Sequence, residues 1–408
     1  IVPLSAFDSQ HPEDLWNFLP SYEEKTGGRA MAFAHNGNWG TGMMFGLEKL
    51  TGGAIDRADA TARARWDPVY EVSQINGDGE AHPLLSPNDE FADYGTWDKG
   101  DIGGRNVITE DMLPGQYARA ALRRGLQQEA KLGVNPFKFG LIGSSDSHTS
   151  LSTTREDNYF GKNPASEPAA DRWDHVFMKG EQEGTTYYNW ETLASGLAAA
   201  WTRENTRESI WDAFKRKEVY ATTGSRITVR VFGGWDFTAD EVERHDFADR
   251  GYAGGVPMGG DLTSAPAGKA PAFLIRALRD PDNANLDRIQ VVKGWLKADG
   301  ETEERIYAVA CADERTIVIR RCESPVGNTV DTAEASYTNT IGDPLMIAYW
   351  KDPDFDPAQK AYYYVRVLEI PKPSWQAYDA KYYGVQMSEE VPLIVQDRAY
   401  TSPIWYTP

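Results

Sequence analysis

No run of apolar residues in this chain is long enough to span a membrane, although hydrophobic residues make up 41% of its 408 positions. Positive charge is also short. Forty-two lysines and arginines face 61 aspartates and glutamates, for a formal net charge of -19. An acidic surface repels phosphate backbones, which argues against a nucleic-acid groove. It leaves room for a local metal site that draws in an anionic substrate. Internal repeats and low-complexity tracts are absent. The start, Ile1-Val2-Pro3-Leu4-Ser5-Ala6-Phe7, has no initiator methionine, signal peptide or tag, so the chain reads as part of a longer polypeptide. Cysteine is limited to Cys311 and Cys322. They flank a β-rich segment: 306–310, a turn at Asp313-Glu314-Arg315, then 316–321. That pattern suits a hairpin with the cysteines on neighbouring strands. A disulfide in an exported, periplasmic or secreted protein fits it better than two buried thiols.

What is present is ordinary for a soluble globular protein, with 25% charged residues, and the length suggests two domains. The first half alternates. A helix opens at His11-Pro12-Glu13-Asp14-Leu15-Trp16, with proline and acids in its first turn. An apolar strand over 29–34 ends at His35-Asn36-Gly37-Asn38. A second over 69–74 leads into Gly77-Asp78-Gly79-Glu80-Ala81-His82-Pro83. A helix is expected over 114–131, then a strand over 137–142 that ends in Ser145-Asp146-Ser147-His148. Strands alternating with helices, each strand ending in a polar cluster, mark a parallel α/β sheet or barrel. Residues 151–190 form a polar, turn-rich excursion of the kind that makes a lid or stays disordered. Helices are expected over 190–201 and 206–216. From Tyr220 the pattern turns to period two, which reads as an antiparallel β-sandwich with a boundary near 224.

The few histidines make their placement informative. Of six, His35 and His148 directly follow apolar strands, and His82 follows a strand and a glycine turn. His11, His175 and His245 lack such support. Residues i and i+2 of an extended chain point the same way, so Asp146 and His148 can converge on one point, such as a metal ion. A solvated loop in which Asp146 caps the next turn fits that stretch equally well. Imidazole and carboxylate together suit Zn, Mn or Fe, and three such groups can hold a catalytic ion that keeps a water ligand.

Several segments carry a family resemblance. They are Ala34-His35-Asn36-Gly37-Asn38, Tyr70-Glu71-Val72, His82-Pro83 and Leu84-Leu85-Ser86-Pro87-Asn88-Asp89-Glu90-Phe91. Further along come Ser145-Asp146-Ser147-His148, Glu204-Asn205-Thr206-Arg207-Glu208, Tyr220-Ala221-Thr222-Thr223-Gly224-Ser225-Arg226 and Trp350-Lys351-Asp352-Pro353-Asp354-Phe355. On these the chain resembles the PHP superfamily, named for polymerase and histidinol phosphatase domains. It is more closely similar to the bacterial family called domain of unknown function 3604, related to carbaryl-hydrolase-like PHP enzymes. The resemblance implies an α/β fold: the C-terminal part of a distorted (β/α)7 barrel over 1–224, with an insertion at 151–190, then a mainly antiparallel β-sandwich over 225–408. It also implies two or three divalent metal ions (Zn, Mn or Fe) at the carboxyl ends of the strands. In that pattern His35 matches the last lone histidine ligand, and Asp146 with His148 matches the final Asp-x-His. The early His-x-His, the bridging glutamate and another histidine have no match, so they are expected in a segment preceding Ile1.

Other candidates carry two readings each. Glu71 either orients a ligand histidine from behind or pairs with a lysine or arginine. Asn36 and Asn38 donate to a substrate oxygen or shape the turn beside Gly37. His82 contacts substrate or caps a turn, and Arg226 clamps an anion or forms a structural ion pair. Trp39, Trp97 and Trp173 line a cleft or pack a core. The expected activity is hydrolysis of a small-molecule phosphoester by metal-activated water, with a carboxylic or carbamate ester as the close rival. The expectation from another class is a secreted ligand-binding module with an inactive α/β part.

Overall fold

The computed structural model describes residues 2–408. Helix α1 (Pro12–Thr26) starts with proline in its first turn and stops at Gly27, whose left-handed φ of 69° closes the C-terminus. Strand β1 (Phe33–Ala34) follows. Helix α2 (Arg57–Trp66) is set by a capping box. The Asp56 carboxylate accepts from Ala58 N (2.7 Å) and Asp59 N (3.0 Å), and the Asp59 carboxylate accepts from Asp56 N (3.0 Å). Strands β2 (Val69–Gln74) and β3 (Gly77–Asp78) form a tight return. Helix α3 (Ala118–Leu132) then leads to β4 (Gly140–Gly143). Strands β1 and β4 flank β2, both parallel to it, and β3 runs antiparallel at its end.

The remainder is mostly antiparallel. One four-stranded sheet has the order Gly255–Pro257, Thr228–Gly234, Ala272–Leu278, Leu345–Lys351. An eight-stranded sheet is built around Ala361–Glu369, which pairs with Leu286–Leu296, Arg398–Thr401 and Ile404–Thr407. The two sheets share one core, in which Val229, Phe273 and Ile275 of the first pack with Val291, Tyr363 and Ile404 of the second. Helix α3 joins the two parts of the molecule. Its Ala118, Ala121, Leu122 and Leu126 lie in one cluster with Tyr70, Phe137 and Phe139 on one side and Val292, Tyr362 and Tyr364 on the other.

The expected (β/α)7 barrel followed by a separate sandwich is not the fold. The sheet that holds β1, β2 and β4 has only those three parallel strands and stays open, because among the described residues β1 and β4 each pair with β2 alone. After β4 the chain enters the 151–190 excursion instead of a helix and a further parallel strand. Within the excursion Val176–Met178 pairs with Tyr187–Tyr188, and the strands that follow it, Leu197–Ala200 and Val219–Thr222, pair antiparallel with each other and join the eight-stranded sheet through Arg398–Thr401. Sheet pairing therefore crosses position 224. Strand ends with polar clusters look alike in an open sheet and in a barrel, and closure depends on long-range pairing. The helix expected over 190–201 is a turn and the Leu197–Ala200 strand, tertiary pairing having overridden the helix propensity of its alanines. Cys311 ends the Thr302–Cys311 strand and is joined to Cys322, on the short hairpin Ile317–Val318/Arg321–Cys322, by a disulfide.

Four charges are buried where the two parts meet. The Arg119 guanidinium donates to Glu80 (3.0 Å) and Tyr364 (2.8 Å) and lies 2.8 Å from Asp89. Arg366 grips both Asp89 oxygens (2.6 and 2.9 Å) and also donates to Glu80 (3.2 Å) and Gln290 (2.9 Å). None of the four side chains is more than 1% exposed. Burial alone would raise the Asp89 carboxyl, but Arg366 and Arg119 outweigh it and hold it well below the usual carboxylate range. Replacing Asp89 with alanine leaves two buried guanidiniums short of a partner. We expect a loss of about 3–5 kcal/mol in urea denaturation at pH 7. A carboxyl depressed in the folded state stabilises above its unfolded value of about 4, so the difference between Asp89→Ala and wild type should shrink as pH falls below that value.

Candidate functional site

Because β1, β2 and β4 are parallel, their carboxyl ends face the same way. His35 and Asn36 follow β1. Gln74 closes β2, and Asn76 lies two residues beyond. Ser144, Asp146 and His148 follow β4. Glu71 belongs to β2 itself. On a regular strand Glu71 and Gln74 would face opposite ways. The pairing register of β2 with β4 slips between Glu71 and Ser73, a bulge that lets the two side chains meet.

The result is one connected network. Glu71 accepts from Gln74 Nε2 (2.6 Å) and from Ser144 Oγ (2.5 Å), and its carboxylate lies 3.9 Å from His35 Nδ1. Gln74 Nε2 also donates to Asn36 Oδ1 (2.7 Å), which takes a longer bond from Asn76 Nδ2 (3.4 Å). Asn76 Nδ2 donates to Asp146 Oδ2 (3.1 Å), and Asp146 Oδ1 is 3.1 Å from His148 Nε2. Lys162 Nζ closes the chain on Asp146 Oδ2. The carboxylates form the floor and the imidazoles the mouth: the side chains of Glu71 and Asp146 are 12% and 13% exposed, those of His35 and His148 55% and 63%. Burial raises the Glu71 carboxyl, Ser144 and His35 oppose the rise, and Asp146 adds to it.

Two of these residues sit in left-handed backbone, Asn36 at φ 59° and Asp146 at φ 48°. Asn and Asp tolerate that region better than most residues, but it still stores strain, and here it occurs at the ends of two strands flanking β2. Gly37 follows from crowding, since a Cβ there would come within 2.8 Å of the Gln116 carbonyl.

Other predicted residues lie elsewhere. His82 is buried, with Nε2 3.1 Å from Asp98, Nδ1 accepting from Leu84 N (3.2 Å) and the ring against Tyr117. Its hydrogen bond holds the Asp98 carboxyl low. The Arg226 side chain is exposed and makes no hydrogen bond or ion pair with the network, while its backbone N donates to Asp280 (2.9 Å). Asn38 is buried and donates to the Asn76 carbonyl (2.8 Å), which is a turn-shaping role. Trp39 and Trp97 pack with Tyr187 in a small core, and Trp173 packs beside Tyr159 and Trp375. Sequence reasoning missed Gln74, Asn76, Ser144 and Lys162. The polar ends of β2 and β4 carried a signal for the first three, whereas nothing local marked Lys162.

The donors are of the right kind for a divalent cation: two carboxylates, two imidazoles and amide oxygens. Gln74 Oε1 and Asn76 Oδ1 are buried beside them with no hydrogen-bond partner among the described residues, so the floor has unused oxygen acceptors. In spacing the ionisable donors form two pairs, His35 with Glu71 and Asp146 with His148. Among the described residues no group of three His, Cys, Asp or Glu side chains is gathered tightly enough to hold a metal ion. Beside β1 runs a groove of about 1100 Å³ lined by Phe33, Ala34, Met43, Met44, Leu47 and Arg63.

The family described as protein of unknown function (DUF3604) matches residues 1–408. No curated protein and no solved structure matches the chain.

A carboxyl raised in the folded state favours folding while it is protonated. Its contribution is complete below the unfolded value of about 4.3 and is lost as pH rises through the folded value. Glu71→Gln should therefore gain stability relative to wild type between pH 4.5 and pH 8, measured by urea denaturation in EDTA. A difference that does not change with pH would contradict the burial effect at Glu71.

Proposed function

From the premise that this chain belongs to the DUF3604 family, we propose that it is a metal-dependent hydrolase whose substrate is a small phosphoester. The observation that carries the reading is the convergence of Asn36, Glu71, Asp146 and His148 through one hydrogen-bonded network at three parallel strands, with His35 3.9 Å from Glu71. The likeness to PHP enzymes, which rests on His35 and the Asp146–His148 pair, belongs to the same proposal.

On this reading Asp146 with His148 would supply one part of the ligand set and His35 another, for one or more ions of Zn, Mn or Fe, and neither part would hold an ion by itself. A bound divalent cation lowers the pKa of its water and steadies negative charge on an ester oxygen. The remaining coordination comes from water, substrate or polypeptide outside these residues. Glu71, fixed by Gln74 and Ser144, orients the His35 ring, as a carboxylate behind a ligand histidine does. Asn76 performs the same service for Asp146. Asn36 spends its oxygen on Gln74 and Asn76, and its amide NH2 makes no hydrogen bond among the described residues, which leaves it to donate to a substrate oxygen. The disulfide supports a periplasmic or secreted setting, and no helix of the described residues is long and apolar enough to cross a membrane.

One observation favours a second substrate class. The groove beside β1 is mainly apolar, which suits the organic part of a carboxylic or carbamate ester. The test is turnover by the 408-residue protein, supplied with Mn²⁺ or Zn²⁺, of aryl phosphate, sulfate, acetate and carbamate esters. Phosphate ester hydrolysis should be fastest, should stop in EDTA and should fall by about a hundredfold or more in Asp146→Asn. Acetate or carbamate ester turnover with the same dependence would move the reading to the second class. No turnover would leave a binding module as the better account, and turnover indifferent to Asp146 would remove the role given to that residue.

A further inference from the structure

We infer that the Thr302–Cys311 strand and the hairpin over 317–322 form a docking groove for an extended acidic peptide of a partner protein, which adds to the sheet as one more strand. The inference uses none of the residues of the strand-end network. Among the described residues Thr302–Cys311 pairs with Leu286–Leu296 alone, so it is an edge of the eight-stranded sheet. Ala308 N turns away from that neighbour and donates to the Arg320 carbonyl of the hairpin (2.8 Å). Backbone groups alternate sides along a strand, so the N–H and C=O of Glu304 and Ile306 turn the same way as those of Ala308. Arg320 covers the Ala308 position, and no described residue pairs with the other two on that side. A row of open backbone groups on a sheet edge is a template for a further strand.

The groove at that edge is shaped and charged for one kind of occupant. It has a volume of about 870 Å³, with residues 302–306 and 318–321 in its lining. Ile317, Val318 and Ile319 are three successive exposed aliphatic residues, Ile319 at 82%. Arg320 and Arg321 follow, both exposed in a chain of net charge -19. Their contacts among the described residues are with neutral groups: Arg321 donates to the Asn88 carbonyl (2.8 Å), and Arg320 lies 5.9 Å from the Tyr307 ring. The acids that also line the groove are already matched, Glu304 by Arg119 and Arg123, Glu303 by Lys297 and Glu90 by Arg288. The hairpin that presents the free arginines is strained. Its turn places Ile319 at φ 46° and Arg320 at φ 67°, a left-handed pair that such hairpins usually fill with Asn-Gly. A branched residue there is costly, and the shape is held by the disulfide to Cys311 and the bond to Ala308. Free arginines, exposed aliphatic residues and an open edge together fit a segment in which carboxylates alternate with apolar side chains.

The test is fluorescence anisotropy of a labelled, acetylated peptide of alternating valine and glutamate, about eight residues long, titrated with the 408-residue protein. Two further peptides accompany it. One has lysine in place of glutamate. The other is the acidic peptide N-methylated throughout, which keeps the charges and removes the backbone donors. The acidic peptide should bind, and its affinity should fall about tenfold or more in the double variant Arg320→Glu/Arg321→Glu and in about 0.5 M salt. The lysine and N-methylated peptides should bind at least about tenfold more weakly than the acidic one. Binding should slow hydrogen exchange over 302–306, read by mass spectrometry. Both arginines are exposed, so the double variant should keep the wild-type circular dichroism. If it does not, Arg320→Ala/Arg321→Ala is judged by the same criteria. No binding, equal binding of the lysine peptide, or an unchanged affinity in the arginine variants overturns the groove as an acidic-peptide site. Equal binding of the N-methylated peptide overturns the strand addition. A dimer in light scattering whose 302–306 segment is already protected overturns the partner peptide in favour of a second copy.

Discussion

The interaction on which the rest depends is the buried set of Arg119, Arg366, Glu80 and Asp89. Two positive and two negative side chains are removed from water together, and each would cost several kcal/mol if left alone. Because every member needs the others, the set tolerates one arrangement of the chain. Glu80 lies just past β3, Arg119 in the first turn of α3, and Arg366 on the central strand of the large sheet. The two segments that lead out of β2 and into β4 are thereby fixed to one rigid body. The strand ends that carry Gln74, Asn76, Ser144 and Asp146 inherit that rigidity. A second set does the same for the excursion. Lys372 pairs with Glu369 (3.0 Å) and Asp397 (2.6 Å), and Glu156 accepts from Trp375 N (2.6 Å). Burial, with Asp397 alongside, pushes the Glu156 carboxyl up to about 8. The loop that delivers Lys162 is thus anchored at Glu156 and again at Arg172.

Anchorage on both sides explains how the site sustains its strain. Left-handed Asn36 and Asp146, the slipped register at Glu71 and the orphaned oxygens of Gln74 and Asn76 are each unfavourable by themselves. Such features persist only where surrounding packing over-determines the backbone. Here Tyr70, near the start of β2, and Phe137 and Phe139, which lead into β4, pack with Phe45 in one aromatic cluster.

Much of this was legible in the sequence, for a local reason. An apolar strand followed at once by small and polar residues announces where its side chains emerge, and that marked the ends of β1 and β4 with His35, Asp146 and His148. The β-rich segment between the two cysteines pointed to their disulfide, but the hairpin there is Ile317–Val318 with Arg321–Cys322, while the strand that ends at Cys311 pairs with Leu286–Leu296. What was not legible depends on distant pairing. Three parallel strands in an open sheet and the arc of a barrel share the same strand-by-strand pattern, and the difference lies in where Leu197–Ala200 and Val219–Thr222 find partners. His82 and Arg226 had the right residue type in the right kind of turn, but Asp98 and the Asp280 loop determine where they lie. Lys162 was invisible because a lysine in a polar loop resembles any solvated lysine until Arg172, Gly161 and Ser166 are seen to fold it inward.

Electrostatics at two scales pull in opposite directions on the substrate. A net charge of -19 concentrates divalent cations near the protein and repels an anionic ester. Screening confines that field to about 10 Å at ordinary salt, so the final approach is decided by the cluster itself. There the floor is two carboxylates, Glu71 and Asp146, set against one lysine, and the balance is still negative. On the proposed metal-dependent reading, a phosphoester would settle only where that charge has been offset, which a divalent cation on Asp146 would do. A neutral ester in the apolar groove beside β1 needs no such reversal to bind, only to react. On that reading substrate charge and metal loading would be a single question, and the residue on which both would turn is Asp146.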